Sequence, residues 1–148
     1  MADKTEGSIV IDRDPEAVMA EILDFDSYTE WSKEIKKVEV LERDSKKRGK
    51  VVDFVIDAGF AKAEYTLDYT YLDKTEGVTW VTTASKGAIK SMTGEYLLEG
   101  AGAGKTKVTY RMTMELGVPL PGFLKRQGEK KVIDVALKGL KQRVESNA

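Results

Sequence analysis

Five tyrosines and one tryptophan share the apolar side of segments in which apolar and polar residues alternate. They are Tyr65, Tyr69, Tyr71, Trp80, Tyr96 and Tyr110. Phenylalanine would fill a packed core without a hydroxyl that needs a hydrogen-bond partner, so several hydroxyls on one face indicate contact with water or a ligand. The alternative interpretation is a core in which each hydroxyl finds its partner at the edge of the sheet.

Three methionines, Met92, Met112 and Met114, lie on the same apolar side as these rings. Methionine adapts its shape to its surroundings, so it is common in apolar pockets, although it also fills gaps in ordinary cores. Together with the tyrosines, the methionines favour an apolar pocket that carries a few hydroxyl groups.

The composition limits the chemistry that is open to the chain, because the sequence contains no histidine and no cysteine. Histidine bases, serine–histidine triads and histidine-held metals are excluded, as are thiolate metal sites and disulfides. Any catalysis would depend on aspartate, glutamate, tyrosine, lysine, arginine or water. We therefore assign no catalytic residue, no metal site and no cofactor.

A glycine-rich stretch, GAGAGKT at 100–106, partly matches a phosphate-binding loop. That motif requires a glycine at the position of Glu99 and a helix after the loop, whereas strands are predicted on both sides. We interpret these glycines as a β-turn.

The 148 residues are 41% apolar and 33% charged, which is typical of one soluble globular domain spanning 1–148. The formal net charge is −1, so no overall field favours nucleic acid. No apolar run approaches the ~18 residues that cross a bilayer, and the N-terminus lacks the apolar core of a signal peptide. We predict a cytoplasmic protein, monomeric or weakly dimeric, without stable membrane insertion.

The periodicity of apolar residues predicts strands flanked by helical regions. A β-branched run predicts a strand at 7–13, and Asp14 before Pro15 begins a helix at about 15–24. Six strands in series then form a meander at about 35–116. Their segments are 36–43, 50–58, 61–73, 78–85, 89–99 and 106–116. Helical spacing returns in a C-terminal helix at about 121–146.

This order of elements is typical of the α+β class. Alternation leaves the sheet with one apolar face, and the last helix is the only predicted element long enough to cover it. We therefore predict an antiparallel sheet packed against the C-terminal helix.

Three stretches carry a resemblance to a known family. They are IVIDRDPEAVMAEILDFDSYTEW at 9–31, SMTGEYLLEGAGAGKTKVTYRM at 91–112 and VPLPGFLKRQGEKKVIDVALKGLKQRVE at 118–145. In this order they resemble the START-like, helix-grip superfamily, in its polyketide cyclase/dehydrase and lipid-transport branch. The chain is especially similar to the small single-domain proteins of actinobacteria, and the resemblance covers essentially its whole length.

The resemblance implies a seven-stranded antiparallel sheet that wraps around the long C-terminal helix. Two short helices would follow the first strand, the second of them at about 26–31. An apolar cavity would lie between the sheet and the C-terminal helix. Members of the superfamily bind lipids, sterols, polyketides, quinones or plant hormones. Some are aromatases or cyclases, some are carriers, and one actinobacterial type is described as a toxin.

Enzymatic members usually place ionisable side chains in the cavity, whereas the inward side here offers tyrosines and threonines. We therefore expect a small apolar or amphipathic ligand to be bound without catalysis. The predicted lining residues are Tyr65, Tyr69, Trp80, Met92, Tyr96, Tyr110, Met112 and Val132. The predicted gate residues are Trp31, Phe60 and Phe123. The alternatives are a polyketide aromatase, cyclase or dehydratase and a toxin-like interaction module.

Overall fold

A computed structural model describes residues 3–57, 62–72, 75–117, 119 and 121–146. Within these residues seven strands form one antiparallel sheet in the order β1-β7-β6-β5-β4-β3-β2. The strands are β1 Asp3–Ile11, β2 Ile35–Arg43, β3 Gly49–Asp57, β4 Lys62–Tyr71, β5 Gly77–Gly87, β6 Ile89–Gly100 and β7 Thr106–Leu116. The predicted α+β fold, a seven-stranded antiparallel sheet with a long C-terminal helix, is confirmed.

The first strand pairs with the last one, and its bounds differ from the prediction. β1 spans Asp3–Ile11 instead of 7–13. It begins earlier because the residues before Gly7 continue the ladder with β7, where Glu6 forms an ion pair with Arg111 at 2.6 Å. It ends at Ile11 because the backbone N–H of Asp12 leaves the ladder and donates to a carboxylate of the C-terminal helix at 2.9 Å.

Two short helical elements connect β1 to β2. The first, α1, spans Pro15–Leu23, within the predicted range of about 15–24. A 3-10 turn at Phe25–Ser27 then leads into α2, Tyr28–Trp31. The turn and α2 together occupy the region where the second short helix is expected.

Aromatic side chains attach this connector to the sheet. Phe25 is buried, and its ring centroid lies 5.0 Å from that of Tyr69 in β4. The ring of Tyr28 lies 6.2 Å from that of Phe54 in β3. Aromatic pairs at these distances add to the free energy gained by burying the rings, so they hold the connector against the inner face.

The C-terminal helix contains one irregular turn. α3 spans Gly122–Asp134, a π-helical turn spans Val135–Gly139, and α4 spans Leu140–Ser146. The apolar periodicity predicts a helix at about 121–146 but carries no signal for the π-helical turn. Such turns are rare and occur frequently at functional sites.

The two parts of this helix differ in how they are held. In α4, Leu140 is fully buried, and the Arg143 guanidinium bonds to Glu21 of α1 and Glu30 of α2, each at 3.1 Å. In α3 the buried side chain is Glu129. The α4 half therefore combines apolar burial with two charged contacts, whereas the buried side chain of the α3 half is a carboxylate.

The core lies on the inner face of the sheet, as alternation along the strands requires. In β7 the side chains of Val108, Tyr110, Met112 and Met114 are buried, and those between them are partly exposed. The described part of the chain contains no helix whose length and apolar character would allow it to cross a membrane.

Candidate functional site

A cavity of about 150 Å³ lies between the inner face of the sheet, α2 and the C-terminal helix. Ligand pockets in proteins typically measure about 300–1,000 Å³, so this cavity is small. Large aromatic side chains from β3 to β7 project into the space beneath the helix and reduce its volume. The remaining space suits a ligand with the body of a single ring.

Most of the predicted lining residues border this cavity. They are Tyr65, Tyr69, Trp80, Met92, Tyr96, Tyr110 and Val132. Met112 does not border it, because its side chain is only 1% exposed and is enclosed by the packed core. Among the predicted gate residues, Trp31 borders the cavity, Phe123 is 58% exposed away from it, and Phe60 lies outside the described residues.

The aromatic wall follows from strand alternation and from one glycine. Tyr65 and Tyr69 lie two positions from Leu67 in β4, so all three point to the inner face. Trp80 of β5 pairs with Gly94 of β6, where a Cβ atom would come within 2.9 Å of the Trp80 ring. Gly94 therefore leaves room for the indole to lie across the sheet.

Half of the tyrosine hydroxyls have a partner within the protein. Tyr96 donates to the carbonyl oxygen of Ala136 at 3.0 Å, Tyr28 donates to that of Ile22, and the Tyr71 hydroxyl donates to a carbonyl in β3. The first of these bonds crosses the cavity wall from β6 to the π-helical turn. These three hydroxyls thus already donate to backbone carbonyl oxygens of the protein.

The hydroxyls of Tyr65, Tyr69 and Tyr110 make no hydrogen bond with any described residue, although all three side chains line the cavity. Burial raises the pKa of each phenol above its ordinary value. The phenols therefore stay protonated at neutral pH and can donate or accept a hydrogen bond, but they do not act as bases. They give an otherwise apolar wall three points of directional recognition.

Both tryptophans of the chain, Trp31 and Trp80, line the cavity. Their indole nitrogens are buried and have no hydrogen-bond partner among the described residues. An indole N–H can only donate, so an acceptor is the group that would satisfy it. Buried donors without partners are uncommon in folded proteins and are often explained by a missing ligand or water.

The helix side of the cavity is formed around the π-helical turn. Val132, Val135 and Ala136 face the sheet across the cavity. Gly139 lies against Trp31, since a Cβ atom at Gly139 would be 3.2 Å from the indole ring. The absence of a side chain at Gly139 thus lets α2 approach the helix and carry Trp31 to the cavity.

An ion pair lies at the mouth of the cavity. The Lys131 Nζ atom of α3 is 2.8 Å from the Glu34 Oε1 atom just before β2. Both residues line the cavity, and the hydrogen bond from Lys131 lowers the pKa of the Glu34 carboxyl. Within the described lining these are the only charged side chains, so the interior beyond them is neutral.

Several lining residues were not predicted from the sequence. Phe54 and Ile56 belong to the apolar parity of β3, and Leu67 to that of β4, so strand alternation could have identified all three. No local pattern distinguishes Glu34 or Lys131 from other surface charges. Their place at the mouth depends on how α3 crosses the sheet.

Known structures share this fold at low sequence identity. A START superfamily protein from Mycobacterium smegmatis has a TM-score of 0.87 at 16% identity, with 98% of this chain and 99% of that chain covered. A protein from Thermus thermophilus has a TM-score of 0.80 at 22% identity, with 99% of both chains covered. An aromatase/cyclase from a Streptomyces species has a TM-score of 0.79 at 16% identity, with 98% of this chain and 94% of that chain covered.

These identities show a common fold and do not transfer an activity. A search of curated protein sequences finds no relative of this chain. The family model described as polyketide cyclase/dehydrase and lipid transport matches residues 2–145, nearly the whole sequence. The chain therefore belongs to the polyketide cyclase/dehydrase and lipid transport family.

Proposed function

We propose that this protein binds a small, largely apolar ligand, such as a lipid or a polyketide-like ring, between its sheet and its C-terminal helix. The observation that carries the proposal is the set of three hydroxyls without a partner among the described residues, those of Tyr65, Tyr69 and Tyr110, on the wall of an aromatic cavity. A core that served stability alone would gain nothing from hydroxyls that bond to none of the described residues.

Apolar burial supplies the affinity in this proposal. Removing apolar surface from water is worth about 25 cal/mol per Å², so a single-ring ligand with one or two hydrogen bonds reaches the micromolar to millimolar range. The tyrosine hydroxyls would set the orientation of the ligand by bonding to its carbonyl or hydroxyl oxygen. A larger ligand requires displacement of the cavity wall.

Intrinsic fluorescence tests the proposal directly, because both tryptophans line the cavity. We expect single-ring ligands such as phenol or acetophenone to change the emission and to raise the melting temperature. Tyr65→Phe should weaken binding by about 2- to 12-fold, the loss of one hydrogen bond, with little change in stability. If the whole panel leaves both emission and melting temperature unchanged, the proposal is wrong.

Tyr71→Phe is the matched control for this experiment. The Tyr71 hydroxyl donates to the Gly49 carbonyl oxygen at 2.5 Å, and Tyr71 is not among the lining residues. This substitution should therefore lower the free energy of unfolding and leave ligand affinity unchanged. If Tyr71→Phe weakened binding and Tyr65→Phe lowered stability instead, the placement of the site would be contradicted.

A cyclase or dehydratase activity is less well supported by the lining. Among the described lining residues, the carboxylate is that of Glu34. It is paired with Lys131 and its pKa is lowered, so it is a weak base. Tyr65 and Tyr110 have raised pKa values, so their phenols stay protonated and are weak acids. Incubation of a poly-β-ketone substrate with the protein should give the same products at the same rate as incubation without it.

The toxin-like alternative would require a contact surface on another protein. Large exposed apolar side chains among the described residues are Val10, Leu41, Val81 and Phe123, and they lie on four different elements. This distribution favours ligand binding over a single apolar docking face. We propose a monomer or weak dimer that acts in the cytoplasm.

A further inference from the structure

The mouth of the cavity differs in charge from its interior. The half-exposed side chain of Lys131 reaches Glu34, which is 21% exposed, at 2.8 Å. Behind this pair the described lining is apolar except for hydroxyl, backbone and indole groups. A charged group on a ligand is therefore best placed at the mouth, because burying it in the neutral interior without a partner is strongly unfavourable.

Lysines predominate at this mouth. Besides Lys131, the charge of Lys36 acts on Glu34 and lowers the pKa of its carboxyl. The Lys36 ammonium donates to the Lys33 carbonyl oxygen at 2.8 Å, which holds it beside the chain that leads into β2. Two lysine charges, those of Lys131 and Lys36, thus act on the Glu34 carboxylate.

Another carboxylate near the mouth points elsewhere. The backbone N–H of Asp57 donates to the Glu34 carbonyl oxygen at 2.8 Å. The Asp57 side chain, however, lies on the outer face of the sheet, 3.9 Å from the Lys62 Nζ atom. The Glu34 carboxylate itself marks a position at the mouth where an anion is held by Lys131, with Lys36 close enough to act on it.

We infer that the ligand is a small amphipathic acid, and this inference rests on the proposed function. Its ring lies among Tyr65, Tyr69 and Tyr110, and its carboxylate replaces Glu34 as the partner of Lys131. The exchange keeps Lys131 paired and releases Glu34 to solvent, which it already contacts. A neutral ligand makes no ion pair with Lys131, and an amine would be repelled by Lys131 and Lys36.

Three probes with one apolar body and different heads test the inference. They are 3-phenylpropanoate, 3-phenylpropan-1-ol and 3-phenylpropylamine, whose affinities are measured by titration calorimetry at pH 7 and low salt. We expect the acid to bind about fivefold more tightly than the alcohol, as for a partly exposed ion pair, and the amine to bind most weakly. The advantage of the acid should shrink as salt is added.

Three substitutions locate the effect. Lys131→Gln should remove the advantage of the acid and leave the affinity for the alcohol unchanged. Glu34→Gln should strengthen binding of the acid, because the internal competitor is gone. Lys138→Gln is the matched control, since Lys138 lies on the same helix, pairs with Asp134 at 3.7 Å and does not line the cavity. It should change none of the affinities.

The outcomes separate this inference from the proposed function. Equal affinities for acid and alcohol, or an acid advantage that persists in Lys131→Gln, overturn the inference and leave ligand binding intact. Tighter binding of the amine also overturns it. If none of the three probes binds, both the inference and the proposed cavity function are wrong.

Discussion

The Tyr96 hydroxyl donates a 3.0 Å hydrogen bond to the carbonyl oxygen of Ala136, which joins the sheet to the π-helical turn of the C-terminal helix. Both residues are buried, and both line the cavity. The bond thus fixes the distance between sheet and helix at the point where the cavity is formed.

Tyr96→Phe should lower the free energy of unfolding by about 1–3 kcal/mol, because it leaves a buried carbonyl without its partner. Tyr65→Phe is the matched control, since its hydroxyl has no partner among the described residues, and we expect a change below about 0.5 kcal/mol. Chemical denaturation measures both values. Equal losses in the two variants would contradict the hydrogen-bond assignment.

Gly139→Ala should destabilise the protein, although alanine ordinarily stabilises a helix by up to about 1 kcal/mol relative to glycine. The added Cβ atom would lie 3.2 Å from the Trp31 Cε3 atom and 3.4 Å from Cζ3, so the indole must move. We expect a net loss of about 1 kcal/mol and a shift in tryptophan emission. Gly100→Ala serves as control, because a Cβ atom there meets no atom within 4 Å. A stabilised Gly139→Ala variant with unchanged emission would show that Trp31 does not pack as described.

The protein should unfold at alkaline pH in one step together with the ionisation of its tyrosines. The pKa values of all six tyrosines are raised, chiefly by burial. A raised pKa in the folded state means that the stability is fully present below pH 10, the ordinary tyrosine value, and is lost as the pH rises above it. Tyrosinate absorbance and circular dichroism, recorded over pH 8–13, should change together. A gradual tyrosine titration near pH 10 with the fold intact would disprove this prediction.

The ion pair between Lys131 and Glu34 at the cavity mouth should stabilise the protein at neutral pH and lose this contribution at acid pH. The pKa of Glu34 is lowered by its hydrogen bond to Lys131, so this contribution is present above the ordinary glutamate value and is lost as the pH falls through the lowered one. Lys131→Gln should reduce stability at pH 7 by roughly 0.2–1 kcal/mol, as for other exposed pairs, and by less at pH 3. Denaturation of both proteins at the two pH values measures the difference. If Lys131→Gln lost the same stability at pH 7 and at pH 3, a role for the Glu34 charge would be excluded.

The amino-acid sequence is enough to predict the class of fold and to exclude chemistry that needs histidine or cysteine. Residues spaced by two, such as Tyr65, Leu67 and Tyr69, must share a face of any strand they form, so the inner side of the sheet is readable from the pattern. Pro15 after Asp14 similarly predicts where the first helix begins. The absence of histidine and cysteine is a property of composition and needs no structure.

The size of the cavity depends on the tertiary structure, as does the set of its polar groups that have no partner among the described residues. Met92 and Met112 share the inward parity of their strands, yet only Met92 borders the cavity, because the helix crosses the sheet at one place. The same helix supplies Ala136 as the partner of Tyr96 and Lys131 as the partner of Glu34, although it is distant in sequence. A hydrogen bond or an ion pair depends on the distance between atoms in space, and alternation along a strand fixes only the side to which each residue points.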